Sequence, residues 1–269
     1  VVLVALEHLQ AEQCDGVIGL GGGSSMDVAK AIAVLANGTQ VLPELYGVDK
    51  VTGGRLPLVL IPTTAGTGSE VTPVAVITTG ETTKAGISAT ALLPDVAILD
   101  AELTVGLPPH VTAMTGIDAM VHAIEAYTSK IKKNPISDML SRQALKLLAC
   151  NQRRVLSHPT DLQAREAMLL GATLAGQAFA NAPVAAVHAL AYPLGGHYHV
   201  PHGLSNALML PSVLRFNAVA SEAQYLELAT LLPKPLTEGL PGFVEWFEQL
   251  IDDAGLPGTL EAANVPAKD

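Results

Sequence analysis

The period of the apolar pattern changes once along this chain, at Pro108-Pro109, and that change dictates a two-part fold. Before it, short apolar runs alternate with helical spacing. Val17–Leu20, Leu56–Ile61 and Val96–Leu99 read as buried strands, and residues 3–13 and 25–35 as helices. Val74–Thr78 and Ala85–Ala89 flank Gly80 and read as a hairpin. Buried strands alternating with helices predict a parallel α/β sheet. Beyond the prolines strand signals fade. Helical spacing recurs over 112–129, 136–150, 161–180, 204–216, 222–232 and 241–254. Consecutive prolines stop a helix and stiffen a linker. The expected boundary therefore divides an α/β part, 1–108, from an all-α part, 109–269, with a ligand cleft between them.

Composition excludes several classes. Of 269 residues, 49% are hydrophobic and 15% charged, a balance that supports a large core rather than disorder. A net charge of -10 and 4% aromatic residues supply neither a basic footprint nor a stacking platform, so no nucleic acid is expected. No apolar run is long enough for a membrane span. The two cysteines, Cys14 and Cys150, lie far apart with no metal-ligand spacing, and are expected as buried thiols in a reducing compartment. The cytoplasm is the expected location, and the apolar composition favours a homodimer or larger homo-oligomer.

Two loops could hold a nucleotide. Leu20 leads into Gly21-Gly22-Gly23-Ser24-Ser25, then a helix carrying Asp27 and Lys30. Glycines let backbone approach a phosphate, and free N–H groups with the helix dipole favour an anion. The run is neither a GxGxxG fingerprint nor a Walker A loop, so a plain strand-to-helix turn stays open as the other reading. The second loop runs Pro62-Thr63-Thr64-Ala65-Gly66-Thr67-Gly68-Ser69-Glu70, just past a strand's C-terminal end, where open α/β sheets bind ligands.

The helical half carries the sharper signal. Asp118 and His122 share one helix face. Four of the chain's eight histidines, His188, His197, His199 and His202, fall within fifteen residues. Burying imidazoles beside a carboxylate is costly unless something coordinates or pairs them. One carboxylate and three neutral imidazoles suit Fe(II), Zn(II), Co(II) or Ni(II). His197 and His199 flank Tyr198 and read as surface residues or as proton-exchange groups.

These pieces together resemble the iron-containing (group III) alcohol dehydrogenases over nearly the whole chain. The resemblance is carried by GGGSSMDVAK at 21–30, PTTAGTGSE at 62–70, GIDAMVHAIEAY at 116–127 and HALAYPLGGHYHVPHGLSNALMLP at 188–211. It implies a dinucleotide-binding α/β domain followed by an all-helical metal-binding domain, the plan shared with dehydroquinate synthase. It places Asp118, His122, His188 and His202 at the metal-ligand positions, for Fe(2+) or Zn(2+). It places Gly22, Gly23 and Ser24, with Asp27 behind them, at the pyrophosphate of NAD or NADP. Thr63, Thr64, Thr67 and Ser69 line the nicotinamide half, and Lys84 approaches its ribose. The implied reaction is hydride transfer between an alcohol, or its aldehyde or ketone, and NAD(P).

The chain departs from the family pattern where many members carry a further histidine, four residues after the third ligand. Here that position is Tyr192, so proton exchange is shared in expectation among Tyr192, His197 and His199. Family members are longer at both ends, so a first βαβ unit and further C-terminal helices are expected outside this sequence. Other readings on the same scaffold are a glycerol dehydrogenase, a maleylacetate reductase, which works without the metal, and a dehydroquinate synthase, which needs basic residues the helical half lacks. A non-catalytic nucleotide- or metal-binding remnant is the reading from a different class.

Overall fold

The computed structural model describes residues 1–80, 83–233 and 239–266. Helix α1 (Val2–Ala11) leads to β1 (Val17–Gly21), α2 (Gly23–Asn37), the short β2 (Gly47–Val48), β3 (Leu58–Pro62), β4 (Val74–Thr78), β5 (Lys84–Ser88) and β6 (Val96–Ala97). The helices α3 (Pro109–Thr128), α4 (Pro135–Ser157), α5 (Leu162–Asn181), α6 (Ala186–Tyr198), α7 (His202–Ala229) and α8 (Gly239–Asp253) follow.

Two small sheets form the first half. One is parallel throughout, in the order β1-β3-β6, with Val17 opposite Leu58 and Val59 opposite Val96. The other, β2-β5-β4, is mixed. Its β4-β5 pair is the expected antiparallel hairpin, and β2 joins β5 in parallel. Helix α2 covers one face of the first sheet, where Met26, Ala29 and Ala33 meet Leu58 and Leu60. Gly19 makes this approach possible, since a Cβ there would lie 2.7 Å from both Ala29 and Leu60.

The opposite face corrects an expectation. β1 does not read out as a buried strand, for Ile18 is 71% exposed and Leu20 55%. Apolar identity says that a residue can be buried, not which element covers it, and a parallel sheet normally needs cover on both faces. Both cysteines also overturn the expected burial. Cys14, just past α1, and Cys150, on an outer turn of α4, are exposed.

The helices are set by legible caps. The Asn134 side chain accepts from the N–H groups of Ile136 and Ser137, both at 3.0 Å, and Pro135 opens α4 where no N–H is needed. Asp161 accepts from Ala164 N at 3.1 Å to start α5. Helix α8 lays Phe243, Val244, Trp246, Phe247, Leu250 and Ile251 on one buried face, at helical spacing. Burying each such side chain contributes about 1.5–3 kcal/mol. One continuous apolar cluster runs through α3, α4, α5, α7 and α8.

Residues 204–216 and 222–232, expected as two helices, lie mostly on one. Helix α7 runs unbroken from His202 to Ala229 with Pro211 inside. The missing N–H at Pro211 forfeits one hydrogen bond. Leu208, Leu210, Val213 and Leu214 bury on both sides of it, and that packing outweighs the loss. Among the described residues no helix is long and apolar enough to cross a membrane.

The halves meet through glycines. Gly68, at φ +61°, lies so close to α5 that a Cβ would sit 2.5 Å from Gly176 Cα. Gly66 abuts Thr115 of α3 across the same seam, and within the helical half Gly203 of α7 abuts Met114 of α3. One buried polar contact crosses the same seam, Thr173 Oγ1 donating to Glu70 Oε1 at 2.7 Å. The second glycine loop is thereby pressed against α5 and against α3, the helix that carries Asp118 and His122.

Candidate metal centre

Asp118 and His122 lie one turn apart in the middle of α3, inside a stretch buried from Gly116 to Tyr127. His188 sits in the first turn of α6, and His202 opens α7 after Pro201. Three helices thus deliver the four donors, two from α3 and one each from α6 and α7, and the four ligating atoms lie within 4.8 Å of one another. Every histidine turns its Nε2 toward Asp118 Oδ1, at 3.9 Å for His122, 3.8 Å for His188 and 3.6 Å for His202. A tetrahedral ion with bonds of ~2.0–2.2 Å needs donors ~3.3–3.6 Å apart, so a small contraction closes the site.

The electrostatics suit the same purpose. Burial pushes the His122 imidazole down to about 4, against the opposing pull of Asp118. Burial likewise lowers His202. Both rings are neutral near pH 7, the state in which imidazole is a ligand. Burial works to raise the Asp118 carboxyl, but His122, His202, His188 and the Asn206 amide together outweigh it and hold it below its ordinary value. The His122 and His188 rings stack with centroids 4.7 Å apart, and the Phe179 ring lies tilted 4.5 Å from His122.

Two residues at this site were not singled out in the sequence. Asn206, one turn into α7, donates its amide to Asp118 Oδ1 at 2.5 Å, with Nδ2 3.2 Å from His188 Nε2 and 3.3 Å from His202 Nε2. A donor in that place requires acceptors around it, which fits neutral rings with inward lone pairs. Glu125 accepts from His188 Nδ1 at 2.6 Å and from Val187 N at 2.7 Å. Its signal was present as spacing. Asp118, His122 and Glu125 recur at helical intervals on a helix whose buried face is otherwise mainly apolar.

The expected proton-exchange residues separate. Tyr192 stands over the cluster, its ring stacked on His202 at 6.0 Å and edge-on to His188 at 6.3 Å, with 56% of its surface exposed. His199 caps α6 in the left-handed region at φ 56°. With Lys84, Thr78, Thr83 and His202 it lines a cavity of about 300 Å³ beside the cluster. His197 is exposed at the end of α6, its ring against Tyr198 at 6.3 Å.

The nucleotide candidates converge as two adjoining turns. Gly22, Gly23 and Ser24 make the β1-α2 junction, and no side chain caps α2, so its first N–H groups stay open to a ligand. Thr63 N donates to Gly21 O at 3.0 Å, tying the second loop to the first. Thr67 packs on Gly23, where a Cβ would lie 2.8 Å from its methyl group. The buried Thr64 Oγ1, beside Gly22, has no partner among the described residues. An unpaired hydroxyl beside a glycine turn fits a hydrogen bond to a polar group of a bound nucleotide. Asp27 and Ser69 face inward instead. Ser69 Oγ donates to Asp27 Oδ1 at 2.7 Å, and Val76 N donates to Oδ2 at 2.9 Å. They brace the two loops together. Lys84 opens β5 on the surface.

Two family models match. Residues 1–101 match iron-containing alcohol dehydrogenase, and residues 112–269 match the C-terminal region of the Fe-containing alcohol dehydrogenase family. The chain belongs to the iron-containing alcohol dehydrogenases. It is 44% identical to long-chain-alcohol dehydrogenase 1 of Geobacillus thermodenitrificans over 268 residues, covering 94% of this chain and 65% of that protein. The crystal structure of a 1,3-propanediol oxidoreductase superposes with a TM-score of 0.94 at 39% identity, covering 98% of this chain and 71% of the other. A sulfoacetaldehyde reductase from Bifidobacterium kashiwanohense, solved in complex with NAD+, gives a TM-score of 0.90 at 32% identity, covering 99% and 70%. The chain spans 58–65% of the length of the first three curated relatives it matches. For this dehydrogenase-family chain, the buried carboxylate and three imidazoles form a donor set fit for Fe(2+) or a related divalent ion.

Proposed function

We propose that this chain is the nucleotide-facing and metal-holding part of an NAD(P)-dependent alcohol dehydrogenase. Residues 1–108 form its dinucleotide-binding domain and residues 109–269 its metal-binding domain. Asp118, His122, His188 and His202 hold a divalent ion, Fe(2+) or Zn(2+). The observation that carries this reading is the convergence of those four donors within 4.8 Å, three of them buried. When bound, the ion would supply Lewis-acid polarisation of the substrate oxygen.

The chain's own residues do the rest. Gly22, Gly23 and Ser24 offer backbone N–H groups to the pyrophosphate. Thr63, Thr64 and Thr67 border the space for the nicotinamide, while Asp27 and Ser69 hold the two loops at fixed separation. Lys84, at the mouth of the cavity beside His202, meets the ribose side. Tyr192 covers the cluster on its open side, so it limits substrate size and excludes water. A proton released at the substrate hydroxyl passes outward by Tyr192 or His199, both of which adjoin His202. His197 lies further along the same helix end. The substrates are alcohols and their aldehydes. The names of the relatives, which include a long-chain-alcohol dehydrogenase, a 1,3-propanediol dehydrogenase and a sulfoacetaldehyde reductase, support that class. A homodimer located in the cytoplasm is part of this reading, and light scattering tests the first of these.

The deciding assay follows reduced nicotinamide by absorbance with short and long alcohols and aldehydes, with and without added Fe(2+) or Zn(2+). Turnover that needs the ion is expected. Equal turnover after complete chelation contradicts the metal role, and no turnover with any substrate leaves only a binding protein.

A further inference from the structure

Glu125 is 4% exposed, and both of its oxygens are engaged across a helix boundary. It stands on α3 on the same face as Asp118 and His122. Its partners stand on α6. Oε1 accepts the Val187 N–H at 2.7 Å, and Oε2 lies 2.6 Å from His188 Nδ1.

Each contact solves a separate problem. Helix α6 follows Ala185, which offers no side-chain cap, so the N–H of Val187 in its first turn needs an acceptor from elsewhere. His188 must keep the lone pair of Nε2 directed at Asp118, and a neutral imidazole does so only when its hydrogen is on Nδ1. An acceptor at Nδ1 fixes that tautomer and the ring's rotation together. His122 offers a contrast, for its Nδ1 is buried without a partner among the described residues. The two carboxylates Asp118 and Glu125, set among the three imidazoles, also match the formal charge of one divalent cation.

We propose that Glu125 is a positioning residue that acts through His188, one carboxylate orienting the ligand and pinning the start of the helix that carries it. The same helix bears Tyr192 and leads to His199 and His202, so its first turn sets one wall of the site. The inference rests on the reading of the four-donor cluster as a metal site.

The test uses Zn2+ alone, titrated against a competing chromophoric chelator in wild-type, Glu125→Gln and Glu125→Ala protein. Thermal melts of the metal-free forms run beside it, with 15N spectra of the histidine rings. Gln can serve one of the two donors and Ala neither. The expected losses of Zn2+ affinity are ~10-fold for Glu125→Gln and ~100-fold for Glu125→Ala. Hydrogen exchange should quicken in the first turn of α6 in the same order. In the Zn2+-loaded wild type, His188 should carry its hydrogen on Nδ1. A merely structural glutamate would lower the melting temperature without changing affinity in the folded variant. If wild type binds Zn2+ and folded Glu125→Gln binds within twofold of it, the Glu125 inference fails while the metal site stands. If wild type takes up no Zn2+, the metal reading fails and this inference with it. A hydrogen found on His188 Nε2 in the loaded wild type overturns the inference whether or not any variant folds.

Discussion

The two halves of this molecule build their sites from different materials. In the sheet half the site is backbone: three glycines, an uncapped helix and a few hydroxyls, with the one nearby carboxylate, Asp27, turned inward to brace the loops. In the helical half it is side chains, with Asp118, His122 and His188 buried and Asn206 and Glu125 packed against them. The difference teaches what each half can tolerate. A backbone site fails when an atom is added, and a ligand site fails when an atom is removed.

The largest effect expected from that contrast is His188→Ala. Removing one donor should cut turnover by ~1000-fold through lost Lewis-acid stabilisation, while calorimetry finds NAD(P) affinity nearly unchanged. Loss of both together would mean the halves are not separable. Next is Gly68→Ala, an added atom at the seam. The residue lies at φ +61° and its Cβ would sit 2.5 Å from Gly176 Cα, so backbone must move. Urea unfolding should show a loss of about 2–4 kcal/mol.

A third effect concerns Lys30, buried beneath the loops, where its ammonium donates to Thr72 O at 2.9 Å and Val74 O at 2.7 Å. Burial lowers it to about 8, against the attraction of Asp27 and Glu70. Between about pH 8 and its ordinary value the unfolded chain binds a proton that the folded chain does not. Stability should therefore rise with pH across that window, by about 3 kcal/mol, and then level off. Lys30→Met, less stable at neutral pH, should lack the rise, as denaturant titrations at pH 7.5 and 10 would reveal. The smallest effect is Gly23→Ala. Its Cβ would meet only the Thr67 side chain, nearest at the methyl, 2.8 Å away, and that side chain can yield. NAD(P) affinity should fall by ~10-fold, with metal content unchanged. Thr67→Ser, which deletes that methyl, should restore part of the loss.

Legibility in the sequence followed the same division. The ligand site could be read because Asp118 and His122 share a helix face and because four histidines crowd into one short stretch. The helices of the second half could be read from caps such as Asn134 and Asp161. What could not be read depended on neighbours. The outward face of Ile18 and Leu20, the exposure of Cys14 and Cys150, and the continuity of α7 through Pro211 are each decided by what packs alongside. The spacing of Glu125 was visible but its role was not, since a glutamate one turn beyond a histidine resembles a surface residue until its partner helix is known. The inward turn of Asp27 and Ser69 was hidden likewise. Their residue types suit a ligand, yet each has the other as partner.

The most direct measurement is X-ray absorption at the metal edge, with anomalous diffraction, on protein reconstituted anaerobically with Fe(2+). The account predicts one ion per chain, bound by the carboxylate of Asp118 and the Nε2 atoms of His122, His188 and His202. An ion bound elsewhere, or a folded protein that takes up none, would contradict it.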